Sequence, residues 1–583
     1  PDTRELTEHV MKTWDGTELF YRVWPARVPS DKALLLFHRG HEHSGRFQEL
    51  VDELGLDAVN IFAWDQRGHG HSPGERGYAE NFGCLVKDVD AFVRHIGTEY
   101  DIPIPNMVVL AHSVGAVVLG AWVHDYAPPI RALILATPAL RVKLYVPFAI
   151  PGLRLLRAVK RKSFVKSYVR PGMLTHDPVK AQEYRDDPLI ARNIAVNVLL
   201  DLHDVATRLI DDAGAIRVPT LLLAAGSDWV VKVSAQRRFF ERLGSPVKEM
   251  HVYPGFYHSI FHEKDRHLPI AKVREFLGAA FERSRGSDSL LQADREGYTK
   301  AEYDRLSRPL PFWSPRRWGY ALNRLMLQTV GKWSKGIRIG WHSGFDSGVS
   351  LDHVYANKAR GWTPLGWLID RFYLNSIGWR GIRQRKANLE TLLRAVIEKV
   401  HAAGRPVRLL DIASGPGRYL LDTLRQMEHI PTTALLRDRS PDGLEAGREL
   451  ARTLNLTNVT YAEGDAFDRQ SLAAVTPRPT IAIVSGLFEL FPDNERVLNS
   501  LRGLADAIEE GGYLLYTNQP WHPQVEFIAR VLPNRDGEPW IMRRRTQAEM
   551  DELVQAAGFE KETMEIDAYG IFTVSVARKP LAG

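Results

Sequence analysis

Cysteine is nearly missing from this chain: Cys84 is the only one in 583 residues. A lone thiol excludes an intramolecular disulfide and a cysteine-rich zinc site, and it suits a reducing compartment. No apolar run reaches the 18 residues that a membrane-spanning helix needs, and no basic-then-apolar leader opens the chain. The expected location is therefore cytoplasmic, with peripheral attachment at the inner membrane as the variant reading. Disorder is excluded by an ordinary globular balance of 44% apolar and 25% charged residues. The length exceeds what one core can serve, so several domains are expected.

The net charge of +6 is small for this length, but it is unevenly placed. Residues 141–170, "RVKLYVPFAIPGLRLLRAVKRKSFVKSYVR", hold nine Lys or Arg and no acid, with apolar residues interleaved. Such a segment suits an anionic membrane surface or a negatively charged substrate; a solvated basic helix face is the alternative.

Apolar strand-like runs alternate with helical stretches along the first half: "ALLLFH" (33–38), "VNIFAW" (59–64), "MVVLAH" (107–112), "ALILAT" (132–137) and "TLLLAAG" (220–226). Continuous apolar strands alternating with helices imply a parallel sheet covered on both faces. A second set runs from "VRLLDIA" (407–413) to "FTVSVARK" (572–579). The fold class is α/β, with two doubly wound domains and no internal repeat. The expected boundaries are a first domain over 1–285, a polar linker over 286–305, a helical prefix over 306–395 and a second core over 396–583.

At the end of the third run stands Ala111-His112-Ser113-Val114-Gly115. A strand, then small-x-Ser-x-Gly, then a helix is a nucleophile elbow, in which small neighbours let a strained turn expose the serine. Buried packing is the bland alternative for one such match. Asp228 then ends the strand in "LLLAAGSDWVV", and His258 follows thirty residues later in "HVYPGFYHSIFHE". Serine needs a base to become nucleophilic, and an acid fixes that base's tautomer. His251 and His262 are rival bases; His258 is preferred for its place in the loop after a strand.

"FHRGHEHSGRFQEL" (37–50), "DQRGHGHSPGERG" (65–77), "AHSVGA" and "YPGFYHSIFHE" together resemble the monoacylglycerol lipase and lysophospholipase branch of α/β-hydrolases over residues 10–278. The resemblance implies an acyl-ester or lipid substrate, catalysis by Ser113, Asp228 and His258, and an oxyanion hole from the amides of Gly40 and Val114. It also implies a cap over about 140–215, which contains the basic segment. Arg39 and Ala111 stand where that family has glycine.

In the second half, Asp411-Ile-Ala-Ser-Gly415-Pro-Gly417 lies between a strand and a helix. Glycines there let the backbone approach a ligand closely. A dinucleotide fold competes, but Gly-x-Gly-x-x-Gly is missing and an acid itself ends the strand. Asp438 and Asp465 follow at intervals of 27 residues, each at a strand end. This pattern resembles a class I S-adenosylmethionine-dependent methyltransferase, with Ala413 in place of the usual first glycine. The resemblance implies S-adenosylmethionine as cofactor, held by Asp411, Ala413, Gly415, Gly417, Asp438, Asp465, Ala466 and Ser485, and no metal.

"SGLFELFPDN" (485–494) stands where nucleic-acid amino methyltransferases carry Asn-Pro-Pro-Tyr, which argues against nucleic acid as a partner. The stretch 306–385 is rich in Trp, Arg and Gly; its arginines suit a carboxylate or phosphate, or they pin a surface helix. The whole resembles bacterial fusions of a lipase-like hydrolase with a methyltransferase-like domain. Two other readings compete: a membrane-surface binding protein with one decayed enzymatic fold, and an RNA-modifying methyltransferase.

Overall fold

In a computed structural model, which describes residues 3–284, 286 and 289–581, the chain forms two compact units, Pro1–Ser287 and Asp288–Gly583. The first unit is built on an eight-stranded sheet. Its strands are β1 (Thr7–Lys12), β2 (Glu18–Trp24), β3 (Ala33–Phe37), β4 (Asn60–Trp64), β5 (Met107–His112) and β6 (Ala132–Ala136). A separate two-stranded ribbon follows, β7 (Phe164–Lys166) and β8 (Asn193–Ala195), and β9 (Thr220–Ala225) and β10 (Lys248–Tyr253) complete the main sheet. The order is β1-β2-β4-β3-β5-β6-β9-β10, parallel from β4 to β10 and antiparallel at β1 and β2.

The four inner strands β3, β5, β6 and β9 are buried along their whole length because helices cover both faces. That is why they read as unbroken apolar runs rather than alternating ones. Between β6 and β9 the chain leaves the sheet. The basic segment forms the helix Ala149–Val159, none of whose residues is buried, and the helices Pro178–Asp186 and Val196–Asp211 follow.

The second unit has seven strands: β11 (Val407–Ile412), β12 (Thr432–Asp438), β13 (Val459–Glu463), β14 (Ile481–Val484), β15 (Tyr513–Asn518), β16 (Glu560–Ile566) and β17 (Thr573–Arg578). Their order is β13-β12-β11-β14-β15-β17-β16, with β17 antiparallel to both neighbours and the others parallel. The order reverses between β11 and β14, which opens a crevice at the carboxyl ends of those strands. Five helices between Pro315 and Ala402 precede the sheet.

Of the stretch 286–305, expected as a polar linker, residues 287 and 288 lie outside the described residues, and residues 289–305 are built into the second unit. The helix Tyr298–Ser307 begins within it, Asn494 N donates to Asp294 (2.9 Å), and the buried Arg543 donates to Thr299 Oγ1 (3.0 Å). Local polarity suggested a linker because the partners of those polar groups, Asn494 and Arg543, lie 200 and 244 residues away in the sequence.

Candidate active sites

In the first unit, β5 runs into the helix Val114–Tyr126 through Ser113, whose backbone sits at φ 56°, ψ −113°. That strained conformation turns the side chain out of the strand line. Gly115 is what allows the turn: a Cβ there would lie 2.4 Å from the His38 carbonyl oxygen. Ser113 Oγ is 2.8 Å from His258 Nε2, and His258 Nδ1 is 2.8 Å from Asp228 Oδ2. Asp228 Oδ1 accepts from the amides of Val230 (2.7 Å) and Val231 (2.9 Å). Burial alone would raise the Asp228 carboxyl; His258 and those two amides outweigh it and hold the group below its usual range.

The His258 loop is fixed from behind, since its carbonyl accepts from His112 Nε2 (3.1 Å) and Thr137 Oγ1 (3.2 Å). The rival histidines are engaged elsewhere. His251 is half exposed beside Glu249, and His262 turns Nε2 toward the Arg46 carbonyl (3.3 Å). Chemically, the chain from Asp228 through His258 to Ser113 can withdraw the serine proton and return it to a leaving group.

Gly40 lies against the start of the helix after Ser113: a Cβ on it would meet Val114 Cγ2 at 3.0 Å. The neighbouring Arg39 is buried, with Nε 2.9 Å from Glu42 and its guanidinium over the Tyr184 ring (4.8 Å). His43 bonds Asp187 (2.8 Å), and the Ala191 amide donates to the His41 carbonyl (2.9 Å). Arg39, which departs from the family pattern, together with His41 and His43 thus ties the loop around Gly40 to residues 184–191, within the segment expected as a cap.

In the second unit, the loop after β11 needs left-handed backbone at three places: Ala413 (φ 54°), Gly415 (φ 54°) and Gly417 (φ 71°). At Gly417 a Cβ would also meet Leu436 at 2.1 Å. Asp438 accepts from the Gly415 amide (2.7 Å) through Oδ2 and from the Ser440 amide (2.8 Å) through Oδ1. It therefore orders the loop as well as facing it. Gly464 N donates to the Asp438 carbonyl (3.0 Å), which sets Asp465 beside the end of β12; Asp465 Oδ1 accepts from Phe467 N (2.9 Å), and the buried Ala466 gives its carbonyl to Ser500. Ser485 directly follows β14, next to Gly486, whose amide donates to Thr517 Oγ1 (2.8 Å).

Asp411 is fully buried, and its Oδ2 accepts from the Tyr419 hydroxyl. Its Oδ1 is buried with no hydrogen bond among the described residues. Burial, helped by the Asp438 charge and only partly offset by Tyr419, pushes this carboxyl up to about 8. A carboxylate in that position has no cationic partner among the described residues, and a ligand carrying an ammonium or sulfonium would fit it.

Three residues here escaped sequence reading: Tyr419, Arg385 and Glu489. Buried Arg385 donates to Tyr355 Oη (3.4 Å) and stands 3.9 Å from Glu489 Oε1, while Glu489 Oε2 is buried without a hydrogen bond among the described residues. The signal for Glu489 was present, because an acid closely follows the β14 strand within "SGLFELFPDN".

The two sheets with these loops define an α/β-hydrolase of the lipase and esterase class joined to a Rossmann-like methyltransferase fold. The chain belongs to the family described as "Putative methyltransferase", whose model matches residues 273–579, and residues 28–265 match the model described as "Serine aminopeptidase, S33". It is 49% identical over 574 residues to "Uncharacterized protein YnbC" of Escherichia coli (strain K12), covering 98% of each chain. Similarity to a monoglyceride lipase of Mus musculus is 30% over 259 residues, covering 43% of this chain and 82% of that protein. A monoacylglycerol lipase of Mycolicibacterium smegmatis is 23% identical over 272 residues, covering 46% and 96%.

Proposed function

We propose that the first unit hydrolyses the acyl ester of a monoacylglycerol or lysophospholipid through an acyl-serine intermediate. The observation that carries this reading is the hydrogen-bonded chain Ser113–His258–Asp228 at a strained strand-to-helix turn. Ser113 Oγ attacks the ester carbonyl while His258 Nε2 takes its proton. Asp228 keeps the imidazole proton on Nδ1 and stabilises the cation that forms. The amides of Gly40 and Val114 receive the oxyanion. His258 then protonates the departing alcohol and activates a water molecule that frees the fatty acid. The lipid class rests on the names of the lipase relatives.

In the second unit, the buried, cation-lacking oxygen of Asp411 supports S-adenosylmethionine as the methyl donor. When bound, that cofactor supplies an electrophilic methyl group. Asp411 holds its amino-acid end, Asp438 the ribose hydroxyls, Asp465 and Ala466 the adenine, and Ala413, Gly415, Gly417 and Ser485 shape the cradle. The acceptor is taken to be small or lipid-derived.

The deciding experiment for the hydrolase is Ser113→Ala assayed on short-chain p-nitrophenyl esters. The expected loss is about 10³-fold or more, with cofactor binding unaltered. An alanine variant that hydrolyses the ester at the parental rate refutes the assignment.

A further inference from the structure

The helix Pro315–Gln328 buries none of its residues. Trp318, Leu322, Leu325 and Met326 fall at i, i+4, i+7 and i+8, which is one face of a helix. Their exposures are 65%, 60%, 55% and 52%, and in the turn just before the helix Phe312 and Trp313 reach 68% and 71%. The helix does pack on its other side, where Tyr320 and Leu327 lie against the apolar core. So the stripe is not the core-facing side of the helix; it is a second apolar face left in water, which ordinary surfaces avoid.

The same turn walls a cavity. Residues 308–310, together with the helices Tyr298–Ser307, Pro315–Gln328 and Val525–Val531, line a half-open pocket of about 480 Å³. Four arginines line it, Arg305, Arg308, Arg316 and Arg530, with two acids, Asp304 and Glu526. Asp304 is paired with Lys300 (2.5 Å). Glu526 is shared between Arg316 and Arg305 (3.6 Å). Arg530 donates to the carbonyls of Arg308 (2.6 Å) and Arg305 (3.1 Å), yet its Nε is buried with no hydrogen bond among the described residues. Arg308 has no side-chain partner among the described residues. Positive charge therefore exceeds negative charge around an open space.

We propose that this region is a membrane-docking site. The cavity takes the phosphate of an anionic phospholipid, and Phe312, Trp313 and the exposed stripe lie in the boundary between headgroups and acyl chains. Guanidinium groups match phosphate oxygens bidentately, and tryptophan at that boundary keeps its ring in the apolar layer with its N–H near water. At 14 residues the helix is too short to span a bilayer, so it lies in the plane of the surface. A nucleic acid would use the arginines and could stack on tryptophan, but it offers nothing to Leu322, Leu325 and Met326. The lipid is therefore favoured.

The test is flotation of the full chain with vesicles of equimolar phosphatidylglycerol and phosphatidylcholine, and with phosphatidylcholine alone. The protein should float with the anionic vesicles and much less with the neutral ones. Arg308→Gln with Arg316→Gln should weaken anionic binding by roughly 30-fold, from two basic residues near a charged surface. Leu322→Ser with Met326→Ser should weaken binding without changing its preference for anionic lipid. All four side chains leave the core untouched, and unchanged melting and p-nitrophenyl ester hydrolysis would show an intact fold. Equal flotation with both vesicle types, or parental flotation of the glutamine pair, overturns the proposal. Displacement from the anionic vesicles by inorganic phosphate, but not by chloride at equal ionic strength, is expected if the cavity holds the headgroup phosphate. Binding of inorganic phosphate that depends on the two arginines, with no flotation on either vesicle, overturns the proposal and makes free phosphate the ligand. Arginine-dependent binding of an RNA oligomer without vesicle binding would replace the lipid by RNA.

Discussion

Replacing Asp411 by asparagine removes a charge that the ligand-free protein holds poorly and that a cationic ligand needs. The carboxyl is fully buried, and one of its oxygens has no hydrogen bond among the described residues. Burial with the nearby Asp438 charge outweighs the Tyr419 hydrogen bond, so its pKa rises from 3.8 to about 8. The sign follows from proton counting. Between those two values the folded state keeps a proton that the unfolded chain has released, so stability falls as pH rises across that window. The loss is about 1.4 kcal/mol per pH unit, and thus roughly 4 kcal/mol by pH 7. A sulfonium or ammonium placed against Oδ1 reverses the preference. At pH 7, binding of S-adenosylmethionine should expel about 0.9 of a proton, and affinity should climb roughly tenfold per unit between about pH 5.5 and 7. Titration calorimetry in buffers of different ionisation heat measures the released proton directly. Asp411→Asn should release none, bind at least about 10-fold more weakly, and melt with less pH dependence over this window. Parental binding without proton release, or equal release by the asparagine variant, refutes the reasoning.

Gly115→Ala should abolish ester hydrolysis and destabilise the chain by about 2–4 kcal/mol, because the new methyl meets the His38 carbonyl; melting and p-nitrophenyl ester turnover check it together. Ala413→Gly should stabilise the chain by up to about 1 kcal/mol, since relief of a left-handed alanine at φ 54° slightly exceeds the added freedom of the unfolded chain; chemical denaturation reads it. Asp438→Ala should weaken S-adenosylmethionine binding roughly 10- to 150-fold and also loosen the loop at Gly415, so amide exchange there should rise with the loss of affinity.

The inner strands were readable because each is covered on both faces and so spells an unbroken apolar run. The edges were not. The strand β1, "TEHVMK", buries only Met11, and β16, "EKETMEI", buries only Met564. Polar strands of this kind are held by a neighbour's backbone, which leaves no mark in local composition. Ser113, Asp228 and His258 could be nominated from chain order and from the strand-to-helix turn, and the structure brings the three together. Long-range pairs stayed hidden. Nothing near Arg39 points to Tyr184, and nothing near Glu489 points to Arg385; both pairings arise from packing of elements more than a hundred residues apart. Asp438 was legible as an acid at a strand end, but its grip on the Gly415 amide depends on how the loop folds back.

The ties from Arg39, His41 and His43 to Tyr184, Ala191 and Asp187 make residues 39–43 and 184–191 one mechanical piece. Under the proposed hydrolase reading, any displacement of residues 184–191 on substrate entry would pull on the backbone that carries the Gly40 amide, so admission of an acyl chain and alignment of the proposed oxyanion donors would be coupled. A short soluble ester would then understate the rate on a full-length lipid.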